Sequence, residues 1–174
     1  MTAETLTGAR AAAGVQPAAH SLSGVMHVAY GYYSITSAAL EVGDIFKLCK
    51  LPKNSLVVGG GYHVADLDTN GSETVDIDLG VADNGGSTNT FVDSAGTTWT
   101  NTAADSDIFV NSGVLVGDAI TDLLAAGNNY RPFPMTTGPI FFSEETTVQA
   151  EVIAIQATAQ AGVMYCEIRY IVLG

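Results

Sequence analysis

The chain has 174 residues, six of them Lys or Arg and eighteen Asp or Glu, for a formal net charge of −12. That length suits one domain able to bury its own core, and the apolar share is too high for a disordered chain. The acidity argues against nucleic-acid or anionic-membrane binding, which needs a basic patch, and leaves a basic protein surface as an acceptable partner.

The one basic cluster, Lys47, Lys50 and Lys53, reads as a solubilised strand end. No apolar run reaches the ~18 residues of a membrane span. The opening residues lack a basic region followed by an apolar stretch, so no signal peptide is expected. Cys49 and Cys166 lie in apolar-patterned strands and are expected as small core residues rather than a disulfide framework.

Residues 1–22 are rich in Ala, Gly and Thr and form an arm, either a loose tail or a segment ordered by a partner. Residues 23–174 form a single domain. Its first strand is expected from Val25 to Ile35, aromatic and β-branched, and its second from Asp44 to Leu51, where Ile45, Leu48 and Leu51 do not alternate strictly. Pro52-Lys53-Asn54 turns the chain. The runs Leu56–Asp68 and Glu73–Val81 flank Asn70-Gly71, a strong hairpin signal. A two-residue turn there sets Asp68 opposite Glu73, Val64 opposite Ile77, Tyr62 opposite Leu79 and His63 opposite Asp78. Val75, Ile77, Leu79 and Val81 then share the buried face with Tyr62 and Val64. Gly59-Gly60-Gly61 inside a strand pattern indicates a bulge or a close backbone approach. A phosphate loop would need a helix after it, and Tyr62-His63-Val64 continues as strand.

Asp83 to Asp107 reads as a long polar excursion holding one short strand, with Trp99 as an exposed contact or an anchor to the core. Ile108–Val116 is strand-like. Gly117–Gly127 has the pattern of a short helix, capped by Asp118 with Ile120, Leu123 and Leu124 on one face. Asn128–Ile140 is proline-rich and extended. Thr146–Ala157 and Val163–Leu173 are long strands joined through Ala159–Gly162. In the last, Met164, Cys166, Ile168, Tyr170 and Val172 face one way and Glu167 and Arg169 the other. About seven to nine strands and one short helix indicate an all-β fold, an antiparallel sandwich or jelly-roll-like barrel with an extended N-terminal arm.

Little in the sequence selects chemistry. Asp66-Leu-Asp68-Thr-Asn70-Gly71 starts like an EF-hand loop, but the twelfth position is Ile77 and no helix flanks it, so acidic residues near a hairpin tip are expected. His20, His27 and His63 have no metal-site spacing. There is no G-x-S-x-G elbow. Trios such as Ser21, His63 and Asp78, or carboxylate pairs, are too numerous to single one out. No catalytic residue, cofactor or metal is expected.

The segments Lys50-Leu51-Pro52, Ser55–Leu67, Asp66–Gly71 and Asp76-Ile77-Asp78-Leu79-Gly80, with the closing strand Glu167–Leu173, resemble the small all-β head decoration (capsid cement) proteins of tailed phages. The resemblance covers roughly residues 28 to 173. It implies a non-enzymatic virion component, made in the host cytoplasm. Such a component binds the major capsid protein on the outside of an assembled icosahedral head, often as a trimer, and braces it against internal DNA pressure. No family catalytic residues exist to carry over. Expected partner contacts are the arm with Arg10, and Trp99 and Phe133 in exposed segments. The alternative is a carbohydrate- or receptor-binding sandwich of a phage fibre, using Trp99 and the tyrosines as sugar platforms. A small hydrolase is a third reading, for which no residue set stands out.

Overall fold

The computed structural model describes residues 5–7, 25–36, 40–65, 67–68, 74–82, 89–92, 98–101, 105–110, 131–133, 139–155 and 157–173. Their strands in chain order are β1 (Thr5–Thr7), β2 (Met26–Ile35), β3 (Ile45–Leu51), β4 (Ser55–Val64), β5 (Asp76–Val81), β6 (Asn89–Val92), β7 (Thr98–Asn101), β8 (Asp105–Val110), β9 (Arg131–Pro132), β10 (Ile140–Phe142), β11 (Thr146–Ala154) and β12 (Gly162–Val172). One sheet has the order β1-β3-β11-β5-β8. The second has the order β10-β4-β12-β2, with β9 beside β10 along the same edge of β4. A separate ribbon pairs β6 with β7.

Eight of these strands make an all-β sandwich of the jelly-roll kind. β2 pairs β12, β3 pairs β11, β4 pairs β10 and β5 pairs β8, all antiparallel. This is one long ribbon of strand pairs. Rolled up, it also brings β4 against β12 and β5 against β11. Every apolar strand thereby buries one face against the opposite sheet. The expected helix at 117–127 lies outside the described residues, as does most of the expected arm. Within the arm, Thr5–Thr7 runs parallel to β3.

The pairing corrects two hairpins read from the sequence. β4 and β5 do not pair with each other; they lie in different sheets, and so do β11 and β12. Val64 faces Met164 and His63 faces Tyr165, both on β12, while Ile77 faces Val152 and Asp78 faces Glu151 on β11. Both connections are corners from sheet to sheet. The reversal that joins consecutive strands of one sheet lies instead between β5 and β8, across the stretch read as a polar excursion. That stretch carries two short strands rather than one, with Phe91 opposite Trp99.

The expected faces hold even though the partners differ. Ile77, Leu79 and Val81 of β5, and Met164, Cys166, Ile168 and Tyr170 of β12, are all in the core, with Val75 just ahead of β5. In β4 the inward set changes parity. Ser55 and Val57 are buried, then Gly60 and Tyr62, while β12 keeps strict alternation. The pairing slips there: Arg169 faces Gly59 and Tyr170 faces Val57, so Val58 is an extra residue. This is the bulge that the glycine run indicated. One inserted residue moves every later side chain to the other face. The same device sits in β3, where Val148 faces Cys49 and Gln149 faces Lys47, leaving Leu48 over. Phe46 and Leu48, then Cys49 and Leu51, are buried. The bulge is why that strand failed to alternate.

Glycine appears where the sheets press together. A Cβ at Gly31 would overlap the carbonyl of the bulged Leu48, and one at Gly60 would overlap the Glu167 carbonyl and the Phe133 ring. Beside Gly31, Cys166 hydrogen-bonds to Cys49 of the other sheet, and this contact and burial hold its thiol well above the ordinary range. Both cysteines are free and buried, as expected of core residues.

The two corners are fastened to each other. Asp68, only 1% exposed, accepts backbone N–H bonds from Ala157 (2.8 Å), Thr158 (2.9 Å) and Thr74 (3.2 Å). Gln160 N–H donates to the Leu67 carbonyl at 3.0 Å, and Ala65 N–H to that of Val163 at 2.9 Å. The Thr74 hydroxyl gives its one proton to the Ile155 carbonyl at 2.8 Å, the shorter of its two contacts. The Asp68 oxygens thus face N–H donors, the wrong polarity for a cation, and Asp68 serves as a backbone staple.

Replacing Asp68 with Asn puts an NH2 where N–H groups converge. Charged hydrogen bonds of this kind are worth about 1.5–3 kcal/mol each. Asp68→Asn should therefore lower Tm by roughly 5–10 °C in thermal unfolding; an unchanged Tm would remove Asp68 from this role.

Candidate interaction surfaces

The sandwich has two outward faces of different chemistry. On the first sheet, Lys47, Lys50, Asp76 and Glu151 point outward, and the Lys50 ammonium is paired with Glu145 at 2.7 Å. Asp76 has a buried carboxylate oxygen without a hydrogen-bond partner. Burial raises its carboxyl above the usual range, against the backbone hydrogen bond of Ile77, which lowers it.

The second sheet is apolar outside as well as inside. Along β2, Met26 (60% exposed), Val28 (50%), Tyr30 and Tyr32 are exposed, alternating with the inward Ala29, Gly31 and Ile35. The exposed Val163 on β12 and Val58 on β4 extend the face. Half-buried Leu56, Tyr165 and Ile171 fill in between, with Tyr30 and Tyr165 rings 6.4 Å apart. Glu167 and Arg169 supply its charge, paired with each other at 2.7 Å. A sheet with one solvated face ordinarily shows polar residues there. The signal was present in the sequence: Val25 to Tyr33 is apolar or aromatic at both parities, but buried strands look the same.

The residues expected to contact a partner fare differently. Arg10 lies outside the described residues. Trp99 has its backbone in β7, and β6 of the same ribbon packs near β10. Phe133 was expected to be exposed and is instead 5% exposed. Its ring stacks on Phe109 (5.2 Å between centroids) and Tyr62 (6.4 Å), and its N–H donates to the Gly60 carbonyl at 3.0 Å. The missing Cβ at Gly60 makes the room. Of the histidines, His27 packs its ring on Tyr170 at 5.5 Å and His63 lies opposite Tyr165; His20, like Ser21, lies outside the described residues. His63 and Asp78, expected as cross-strand partners, are on different sheets.

This fold is shared with chains of solved phage capsids. The structure titled "Cyanophage Pam1 capsid asymmetric unit" contains a chain similar at 20% identity and TM-score 0.60, over 91% of this chain and 93% of that one. The capsid of Ralstonia phage GP4 contains one at 15% identity and TM-score 0.63, over 98% and 99%. The acid-stable capsid of Helicobacter pylori bacteriophage KHP30 contains one at 14% identity and TM-score 0.50, over 86% and 90%. No family model and no curated protein matches the chain. At these identities the likeness establishes the fold.

Two substitutions separate the surface from the core. Phe133→Ala should cost about 3–5 kcal/mol, the range for emptying a buried aromatic site, and lower Tm by about 10 °C or more; a surface contact residue would change stability by only about 0.5 kcal/mol. Asp76→Asn should raise Tm at pH 7. A carboxyl raised in the folded state penalises folding once it ionises, so the gain should vanish as pH falls below about 4, where folded and unfolded forms are both protonated. A gain that persists at pH 3 would point away from the charge.

Proposed function

We propose that this chain is a non-enzymatic virion structural protein, a decoration or cement protein that binds the outer surface of an assembled phage head. The observation that carries this reading is the match of almost the whole sandwich to chains of phage capsid structures. The sequence resemblance to small all-β head decoration proteins points the same way. Its partners are the major capsid protein and other copies of itself, as a homotrimer. Residues 1–22, with Arg10, anchor the shell, and Trp99 on the β6–β7 ribbon adds a contact. A symmetric oligomer multiplies weak contacts on a repeating lattice, so each can be modest. A second reading, a glycan- or receptor-binding sandwich, draws support from the exposed Tyr30 and Tyr32.

The test is co-sedimentation of the purified protein with expanded heads of the cognate major capsid protein. The full chain should sediment with the heads and protect them from heat or chelation. A chain beginning at Ser23 should lose binding at least tenfold. Failure of the full chain to bind intact heads would end this reading.

A further inference from the structure

We infer that the outward face of the second sheet, led by β2, the end strand of that sheet among the described residues, is where a second copy of this chain docks. The inference rests on the oligomeric part of the function proposed above and gives it a location.

β2 is the end strand of its sheet, ten residues long, and β12 is its one strand partner among the described residues. Residues 26–35 contain no charged side chain and no proline. Sheet edges that stay single in water are usually short, bulged, or marked by Lys or Pro, because an open ladder of N–H and C=O groups invites another chain. Here neither β2 nor its pairing with β12 carries a bulge. Its outward residues, Met26, Val28, Tyr30 and Tyr32, are apolar or aromatic and exposed.

Charge identifies the occupant. The chain carries −12, yet among the described side chains this face carries one ion pair, Glu167 with Arg169, and no net charge between them. Acidic copies repel one another over about a Debye length, roughly 8–10 Å. They can meet closely where each presents a neutral apolar patch. A basic partner would be drawn elsewhere on the molecule. In register, Arg169 lies beside Val28 and Glu167 beside Tyr30. A second copy laid on this face can exchange partners within that pair, Arg169 to Glu167 of the other copy, without leaving either charge buried alone.

Size sets the strength. Ten residues along and about three strands across give a patch on the order of 30 Å by 10–15 Å, or roughly 400 Å² per copy. Stable interfaces bury about 800 Å² per partner. Association through this face is therefore concentration-dependent in free solution, and copies held side by side on a repeating lattice gain the missing strength from proximity.

The experiment is sedimentation velocity of the full chain from about 1 to 300 µM, beside Val28→Lys, Tyr32→Lys and Val42→Lys. Val42 is exposed on the turn before β3, away from this face. The unaltered protein should rise from 18.0 kDa toward whole-number multiples. Both β2 variants should remain monomeric up to at least tenfold higher concentration, with unchanged far-UV circular dichroism and Tm. Val42→Lys should associate like the unaltered chain. Hydrogen exchange should show β2 amides gaining protection as concentration rises. An unaltered chain that stays monomeric throughout, or a Val28→Lys variant that associates normally, overturns the inference. So does immobilised glycan binding by a monomeric chain that is lost in Tyr32→Lys. Head co-sedimentation of the same proteins keeps the two readings apart. Normal association without head binding removes the cement function and leaves this interface standing. Head binding with Val28→Lys still oligomeric does the reverse.

Discussion

One carboxylate ties the two corners of the sandwich together. Asp68 sits where the chain leaves the second sheet for the first, and it holds the N–H groups of Ala157 and Thr158, where the chain returns. Corners between sheets are places where backbone groups lose their ladder partners. Left unpaired and buried, each such group costs about 1–3 kcal/mol. Asp68 satisfies several at once, and the Leu67–Gln160 and Ala65–Val163 bonds extend the seam on either side. That seam joins the corner between β4 and β5 to the corner between β11 and β12, strands that lie β4 beside β12 and β5 beside β11.

Register inside the sandwich is kept by irregularities. The extra residues Val58 and Leu48 each turn a strand over once, so that both halves of β4 and β3 direct apolar side chains inward as the sheets twist. The Leu48 bulge brings its carbonyl toward β2, and only a residue without a Cβ fits opposite, which is Gly31. The Cys49–Cys166 contact lies beside this point. A small, soft side chain from each sheet fills the space that the close approach leaves.

Among the described residues, the second sheet exposes apolar side chains outward, while the first directs charged ones, Lys47, Lys50 and Glu151, outward and buries the outward Asp78 and Gln149. Binding spread over a broad surface is what the proposed cement role would use. Acidity sets up repulsion between free copies, and the inferred docking face for a second copy is the outward side of the second sheet, where Glu167 and Arg169 are paired. Chains of three solved phage capsids share this fold.

Much of this was legible in the sequence because alternation is local. The inward sets of β5 and β12, the small buried cysteines and the irregularity at Gly59–Gly61 follow from residue type and a period of two. The extra residue in β3 left its trace as broken alternation. Strand partners were not legible. Asn70-Gly71 and Gly162 are sound turn signals, but a tight turn is worth little beside the burial of whole strands. Pairing β4 with β12, about a hundred residues away in sequence, lets the ribbon roll up and cover both inner faces. Phe133 misled for a related reason. Flanking prolines mark an extended, exposed-looking segment, whereas its burial depends on a space beside Gly60 that exists only once β4, β9 and β12 are together. Likewise, Val25 to Tyr33 announced an apolar strand, but only its place in an outer layer of a two-sheet sandwich, with nothing described over its outward face, determined that half of those side chains are exposed. The sequence by itself determined which residues are paired by parity and that the chain is a β-sandwich. The tertiary structure decided which strands meet, because long-range burial outweighs local turn preference.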